Sequence, residues 1–445
     1  MAMCWCYVAP PILLIPFAIG DMCENATECT MTPGSVIEEF YLVEDDGYKA
    51  EMALTISTAG DLLGSTLISY LSDIKGRRPI LLFCLMSFGV FNLMLAFSPN
   101  IYVFWILRLL QGAFSSGLNC ANWVLAYESS SMGLRAYAPL VFGITWIIGY
   151  VAVAPLCYYV TYWRHQILIT SFPSIIATLI YFFTIPESFH FTISNGLTDT
   201  VTSWYRNMNR YCECKRELTE VAEIIEKHKV VKDARNSNGK KELGLAKTLM
   251  TNKRVFLYIV IFAYIWASDF FIYAGLNILS TSLAGNKYWN FALGGIAEIP
   301  SYLISPYLLE KQGRRGFGAW THLMTFAAFL ATVFIKNPTI SFVFWLIGKF
   351  SISCAFTAVF VYVSEVFPTV YRSGVLGICM FVSCFGGIAA GTVRSMNAIS
   401  PDIPNIIFAV TSLLGAILTL FLPETKGKEL PDTTEEMELF FSKKN

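Results

Sequence analysis

Five acidic or basic side chains lie at bilayer depth, away from the ends of stretches apolar enough to cross: Asp61, Arg108, Asp269, Glu298 and Lys349. A charge at bilayer depth is costly, so such residues face a wet cavity or a partner and become candidates for handling cargo. Glu298 is the foremost of them, at the centre of its stretch with one residue between it and Pro300. In a cavity of reduced dielectric a carboxylate can bind an organic ammonium ion or exchange a proton. The alternative is an internal ion pair with Lys349 or Arg108 that only holds helices together. Arg108 has the same two readings, a cavity cation or a partner for Asp61. Trp266 and Tyr273 stand seven residues apart, two turns along one helical face. Aromatic faces attract organic cations by about 0.5 to 2 kcal/mol, although such stripes also simply pack or face lipid.

Other chemistries lack their residues. None of the four histidines (His165, His190, His228, His322) falls with a carboxylate at metal-ligand spacing, and only His322 lies well inside an apolar stretch. The absence of a phosphate loop argues against an ATP-driven pump, and no cofactor is expected. The 12 cysteines form neither a zinc pattern nor a disulfide framework, and most sit where a thiol is a small buried hydrophobe. Net charge is zero, which gives no field to recruit nucleic acid.

The elements that must position these residues follow from composition. Only 14% of the chain is charged and 55% is hydrophobic, against about 25% charged in soluble domains, so lipid is the solvent. With about 20 apolar residues needed per crossing, the chain reads as an all-α membrane protein of twelve spans. They fall at 3–19, 50–71, 79–98, 101–127, 137–158, 166–185, 255–280, 288–309, 317–335, 339–364, 373–395 and 404–422. No basic residues precede the first, as a signal peptide would require. The expected organisation is a six-helix bundle over 1–185 with an outer loop at 20–49, a cytosolic linker over 186–254, a second six-helix bundle over 255–422, and a cytosolic tail over 423–445. The linker holds 13 basic residues and a helical pattern around Glu217 to Lys232. Lysines and arginines crowd the loops on one side, which orients both termini to the cytosol. The outer loop is acidic and carries a glycosylation acceptor at Asn25, between Cys23 and Cys29, which could pair in an oxidising compartment. Both features favour the plasma membrane.

A single offset of 237 residues links three charged landmarks. Asp73, Gly76, Arg77 and Arg78 recur as Glu310, Gly313, Arg314 and Arg315; Glu128 and Arg135 as Glu365 and Arg372; and Pro186, Glu187 and Ser188 as Pro423, Glu424 and Thr425. Basic residues at helix ends also serve as plain anchors on the inner side, but anchoring explains neither the matched carboxylates nor the common offset. The functional reading is a cytosolic gate in which, within each half, a carboxylate ending one helix meets the arginine starting another. About a kcal/mol per pair suffices to bias two states.

These landmarks resemble the major facilitator superfamily, whose halves are parallel repeats. The stretches "LRLLQG" (107 to 112), "YAGLNILSTSLAGNKYWNFALGGIAEIP" (273 to 300), "SEVFPTVYRSGVLG" (364 to 377) and "LPETKGKELPDTTEE" (422 to 436), with "EEFYLV" (38 to 43), resemble its organic cation, anion and zwitterion transporters over nearly the whole chain. The resemblance implies that Arg108, Trp266, Tyr273 and Glu298 face a central cavity. Departures are equally informative. Twelve residues beyond Arg372, cation carriers of that family hold an aspartate and many anion or carnitine carriers an arginine, whereas Cys384 stands here. Asp61 replaces a usual apolar residue, Ser69 and Ile74 interrupt the first cytosolic signature, and His190 and Phe191 replace an arginine and a tryptophan. The family also carries a longer start and outer loop, so a shortened chain is one expectation. The implied function is carriage of a small organic ion, cation or zwitterion, through the lipid bilayer by alternating access, with a coupling proton at Glu298 or Asp61 as one option. A non-transporting sensor or degenerate paralogue is the competing class.

Overall fold

The computed structural model describes residues 1–20, 32–42, 46–129, 138–188, 191–192, 201–202, 252–367 and 369–427. In chain order the helices are α1 (Met3–Leu13), α2 (Ile15–Ile19), α3 (Val36–Glu39), α4 (Tyr48–Lys75), α5 (Arg77–Leu95), α6 (Ile101–Ser129), α7 (Ala138–Tyr159), α8 (Trp163–Thr184), α9 (Lys253–Leu279), α10 (Lys287–Ile296), α11 (Ile299–Gln312), α12 (Arg314–Phe334), α13 (Pro338–Val366), α14 (Thr369–Ala390), α15 (Val393–Ile399) and α16 (Asp402–Thr419). Among the described residues nine helices are long and apolar enough to cross a membrane. The other three expected spans miss that standard for separate physical reasons. The first is divided at Leu14, with Pro10 and Pro11 inside α1 and Pro16 opening α2. The second, α4, is 28 residues long but carries Lys49, Glu51, Asp61, Asp73 and Lys75. The eighth, expected as one helix over 288–309, is two: α10 and α11 meet at Ala297 and Glu298.

That break has a local cause. Pro300 has no N–H to donate and sits in the first turn of α11, so the ladder shifts to shorter steps, Glu298 N–H to the Gly295 carbonyl and Ser301 N–H to that of Glu298, each 3.1 Å. Asparagine side chains start three of the C-terminal helices by accepting from first-turn amides: Asn252 for α9, Asn286 for α10 and Asn337 for α13. At the helix joints, Gly76 (φ +106°) separates α4 from α5 and Gly313 (φ +82°) separates α11 from α12. A side chain would be strained at either.

Helices touch where residues are small. Gly60 and Gly64 of α4 and Gly112 of α6 bring the two backbones together so closely that a Cβ on any of them would strike the backbone of the facing helix. Large apolar side chains cover the outside, Phe183, Phe334, Tyr307 and Phe421 among them, as lipid-facing surface does. One apolar cluster belongs to both halves. Phe291 and Ala292 of α10 join Phe17, Ile19, Tyr150 and Trp163 of the N-terminal helices, with Phe17 stacked on Tyr288 (5.5 Å between ring centroids) and edge-on to Phe291 (5.0 Å). This seal lies at the end of the bundle opposite Arg77 and Arg314.

Candidate functional site

The kink at Glu298 aims its carboxylate into the protein, where it is fully buried. Lys349 of α13 meets it, Nζ 2.9 Å from Oε1, and is itself fully buried. Tyr273 of α9 donates its hydroxyl to Glu298 Oε2 (3.2 Å). One turn further along α9, Asn277 accepts from Lys349 Nζ at 2.7 Å and from the Tyr150 hydroxyl at 3.1 Å. Trp146 of α7 donates its indole N–H to the Tyr273 hydroxyl (3.0 Å). The Lys349 ammonium also stands 3.7 Å from the centroid of the Tyr273 ring. Two N-terminal residues, Trp146 and Tyr150, thus complete a charge cluster built by the C-terminal half. Gly295 makes this approach feasible, because a Cβ there would run into the Tyr150 ring.

In this conformation Glu298 is paired with Lys349 and not with Arg108. Arg108 is also buried, but its guanidinium donates to Gln111 at 2.5 Å. Gln111 donates to Asn92 (2.9 Å), and Asn92 to Ser171 of α8 (2.8 Å). Asp61 is half-buried, with its backbone against Gly112 and its carboxylate electrostatically coupled to Arg108. Cys384 of α14 is buried and near enough to Asp61 to feel its charge, at the face where Thr55 and Thr58 of α4 touch Gly391 and Gly387. Trp266 lies among Phe356 and Phe360 of α13, with 4.4 Å between the ring centroids of Trp266 and Phe360. Asp269 is buried and turned away from the Glu298 cluster, toward His322 of α12.

The repeated landmarks form two matching circuits at the Arg77 and Arg314 end. Glu187 accepts from the backbone amides of Arg77 and Arg78 (both 3.1 Å), and Glu424 accepts from those of Arg314 (2.9 Å) and Arg315 (3.2 Å). Each carboxylate therefore caps the positive end of a helix dipole. The arginine side chains reach sideways, Arg77 Nε to Glu128 at 3.6 Å and Arg314 Nε to Glu365 at 2.9 Å. Ser188 donates to Glu128 and Thr425 donates to Glu365, closing each circuit within its own half. Glu310 pairs with Arg314 at 2.9 Å from an exposed position. Asn25 and Arg135 lie outside the described residues, as do the side chains of Asp73 and Arg372.

Sequence reasoning missed the opposite end. Arg394, inside the span expected over 373–395 but not among the candidate site residues, belongs to α15 and is buried. It donates to the carbonyls of Gly20 (3.0 Å) and Pro16 (3.2 Å) and to the Thr281 hydroxyl (3.1 Å), while its neighbour Ser395 donates to Glu51 of α4. The available signal was Glu51, an acidic residue at the mouth of an apolar stretch. Also at this end, Arg164 binds Glu39 of α3 at 2.5 Å.

A family model for the Major Facilitator Superfamily matches residues 31–391. A Caenorhabditis elegans protein provisionally designated a transporter is 32% identical over 95% of this chain and 85% of its own length. An organic cation transporter protein of Drosophila melanogaster is 28% identical over 92% of this chain and 75% of its own. The fold matches the xylose transporter XylE of E. coli in an inward open conformation, with a TM-score of 0.71, 15% identity, and 98% of each chain covered. The chain belongs to the Major Facilitator Superfamily. It is a multi-pass integral membrane protein with the superfamily's twelve-helix fold, and a transmembrane transporter.

Proposed function

We propose that the chain carries small organic ions, cations and zwitterions before anions, by alternating access of the cluster around Glu298. The observation that carries this reading is Lys349 itself. Its ammonium lies 2.9 Å from the Glu298 carboxylate and 3.7 Å from the Tyr273 ring centroid, the two contacts an organic ammonium ion would seek. A cation entering the cluster competes with Lys349 for Glu298. A zwitterion does more, because its ammonium can take Glu298 while its carboxylate takes the released Lys349, leaving no buried charge unpaired. The names of relatives support organic-ion carriage without choosing its sign: besides the fly organic cation transporter protein, Organic anion transporter 3 of Homo sapiens is 28% identical over 98% of this chain. The reaction involves no covalent chemistry, so the chain is a carrier and not an enzyme.

Alternating access requires the seal of Phe17, Tyr288, Phe291 and Arg394 to open while the opposite end closes. The basic loops put the Arg77 and Arg314 end in the cytosol, with both termini, and the seal then faces outward. The acidic outer loop supports the plasma membrane. A membrane potential supplies about 2.3 kcal/mol per charge per 100 mV, enough to concentrate a cation without a coupling ion. Uptake of labelled organic cations, anions and zwitterions into cells expressing the chain, repeated with the potential collapsed, tests the proposal. Cation or zwitterion uptake above that of untransfected cells is expected; uptake of none of the three classes at verified surface expression contradicts it.

A further inference from the structure

Asp269 and His322 take no part in the Glu298 cluster. Both are buried, at 0% and 1% exposed, and His322 Nδ1 stands 3.6 Å from Asp269 Oδ1. Among the described residues neither Asp269 oxygen nor His322 Nδ1 has a hydrogen-bond partner. Tyr264, the titratable neighbour on α9, gives its hydroxyl to the Thr411 carbonyl (3.1 Å). Among the described residues the charged groups on the neighbouring helices are engaged elsewhere or lie toward the ends: Glu298 and Lys349 hold each other, Glu365 holds Arg314, Arg394 is bound to Pro16 and Gly20, Lys253, Arg254 and Arg315 stand at the starts of their helices, and Asp402 is exposed. The only titratable side chains of α14 with a described place, Cys379 and Cys384, are buried thiols. Gly415 of α16 faces the imidazole, where a Cβ would come within 3.3 Å of Nδ1.

A carboxylate isolated in this place leaves an uncompensated buried charge, whereas an imidazolium beside it makes the pair neutral. One proton separates the two conditions. We propose that Asp269 and His322 form a proton-binding site in the C-terminal half, in which the Nδ1 lone pair takes a proton from a solvent hydronium ion, leaving water, and the resulting N–H faces Asp269. Transport is linked to it through α9. Asp269 precedes Tyr273 by four residues and Asn277 by eight on one continuous helix, so a shift of α9 that admits substrate also changes the Asp269 to His322 distance. A site loaded in one state and less favoured in the other moves a proton with the conformational change, and linkage makes the effect reciprocal.

The coupling rests on the transport reading above, and the test separates the two. Adding tetraethylammonium to purified protein in weak buffer should shift a pH indicator, and His322→Gln should remove at least nine-tenths of that signal while retaining substrate exchange at fixed pH. Independently of substrate, the infrared carboxylate band of the protein should change with pH in the wild type, with that component lost in Asp269→Asn and altered in His322→Gln. If tetraethylammonium does not bind but the infrared component behaves so, the transport reading fails and the proton site stands. A pH response of wild-type size in both variants overturns the proton site.

Discussion

Breaking the Glu298 and Lys349 pair on one side leaves the other charge buried with nothing to balance it, a loss of about 3 to 5 kcal/mol. Glu298→Gln alone should therefore lower the melting temperature in detergent sharply, and adding Lys349→Met should recover most of the loss; a double variant no more stable than the single would show that the pair is not the source. Glu39 tests electrostatics outside the spans. Burial pushes its carboxyl up, but hydrogen bonds from Arg164, Trp163 and Tyr162 outweigh that and hold it below the usual range. A depressed carboxylate stabilises the fold above its unfolded value and loses that contribution as pH falls through the folded one. Wild type should thus lose up to about 1 kcal/mol relative to Glu39→Gln on acidification below about pH 4.5, a modest effect because the group is partly solvated; parallel acid profiles would contradict it. The candidate residues were legible in the sequence because charge in an apolar stretch stands out. Their pairing was not, since Lys349 and Arg108 were equally open partners for Glu298 until α13 was placed beside the α10 to α11 break.

At the scale of elements, the two circuits show what a repeat conveys and what it hides. The common offset of Gly76 with Gly313 and of Glu187 with Glu424 was readable, yet the carboxylates' partners are backbone amides, which leave no mark in side-chain identity. Likewise the division of the eighth span follows from Pro300, but a hydropathy window averages over it. Replacing either glycine with alanine forces a side chain into an extended positive-φ conformation, at about 1 to 3 kcal/mol, and drives its Cβ to 2.5 Å from the capping carboxylate. Gly76→Ala and Gly313→Ala should each lower the melting temperature by similar amounts, as equivalent positions of a repeat; a large difference between them would argue against matched circuits.

For the whole molecule, twelve crossings and two halves were legible from hydropathy and the repeat, while the seal between the halves was not. It depends on Arg394 reaching the carbonyls of Pro16 and Gly20 across the molecule, a contact between chain segments with no shared pattern. Ser395 and Glu51 touch in the same place, so the pair Glu51→Cys and Ser395→Cys can be bridged. Oxidation should hold this end shut and reduce transport at least tenfold, with recovery on reduction; transport unaffected by a formed bridge would mean the two halves need not part there.

The most direct measurement is uptake of a labelled quaternary ammonium ion by wild type, Glu298→Gln and Lys349→Met at equal surface expression. A cluster in which substrate replaces Lys349 on Glu298 predicts uptake lost by at least tenfold in Glu298→Gln and a changed apparent affinity in Lys349→Met. Uptake undiminished in Glu298→Gln would contradict the account.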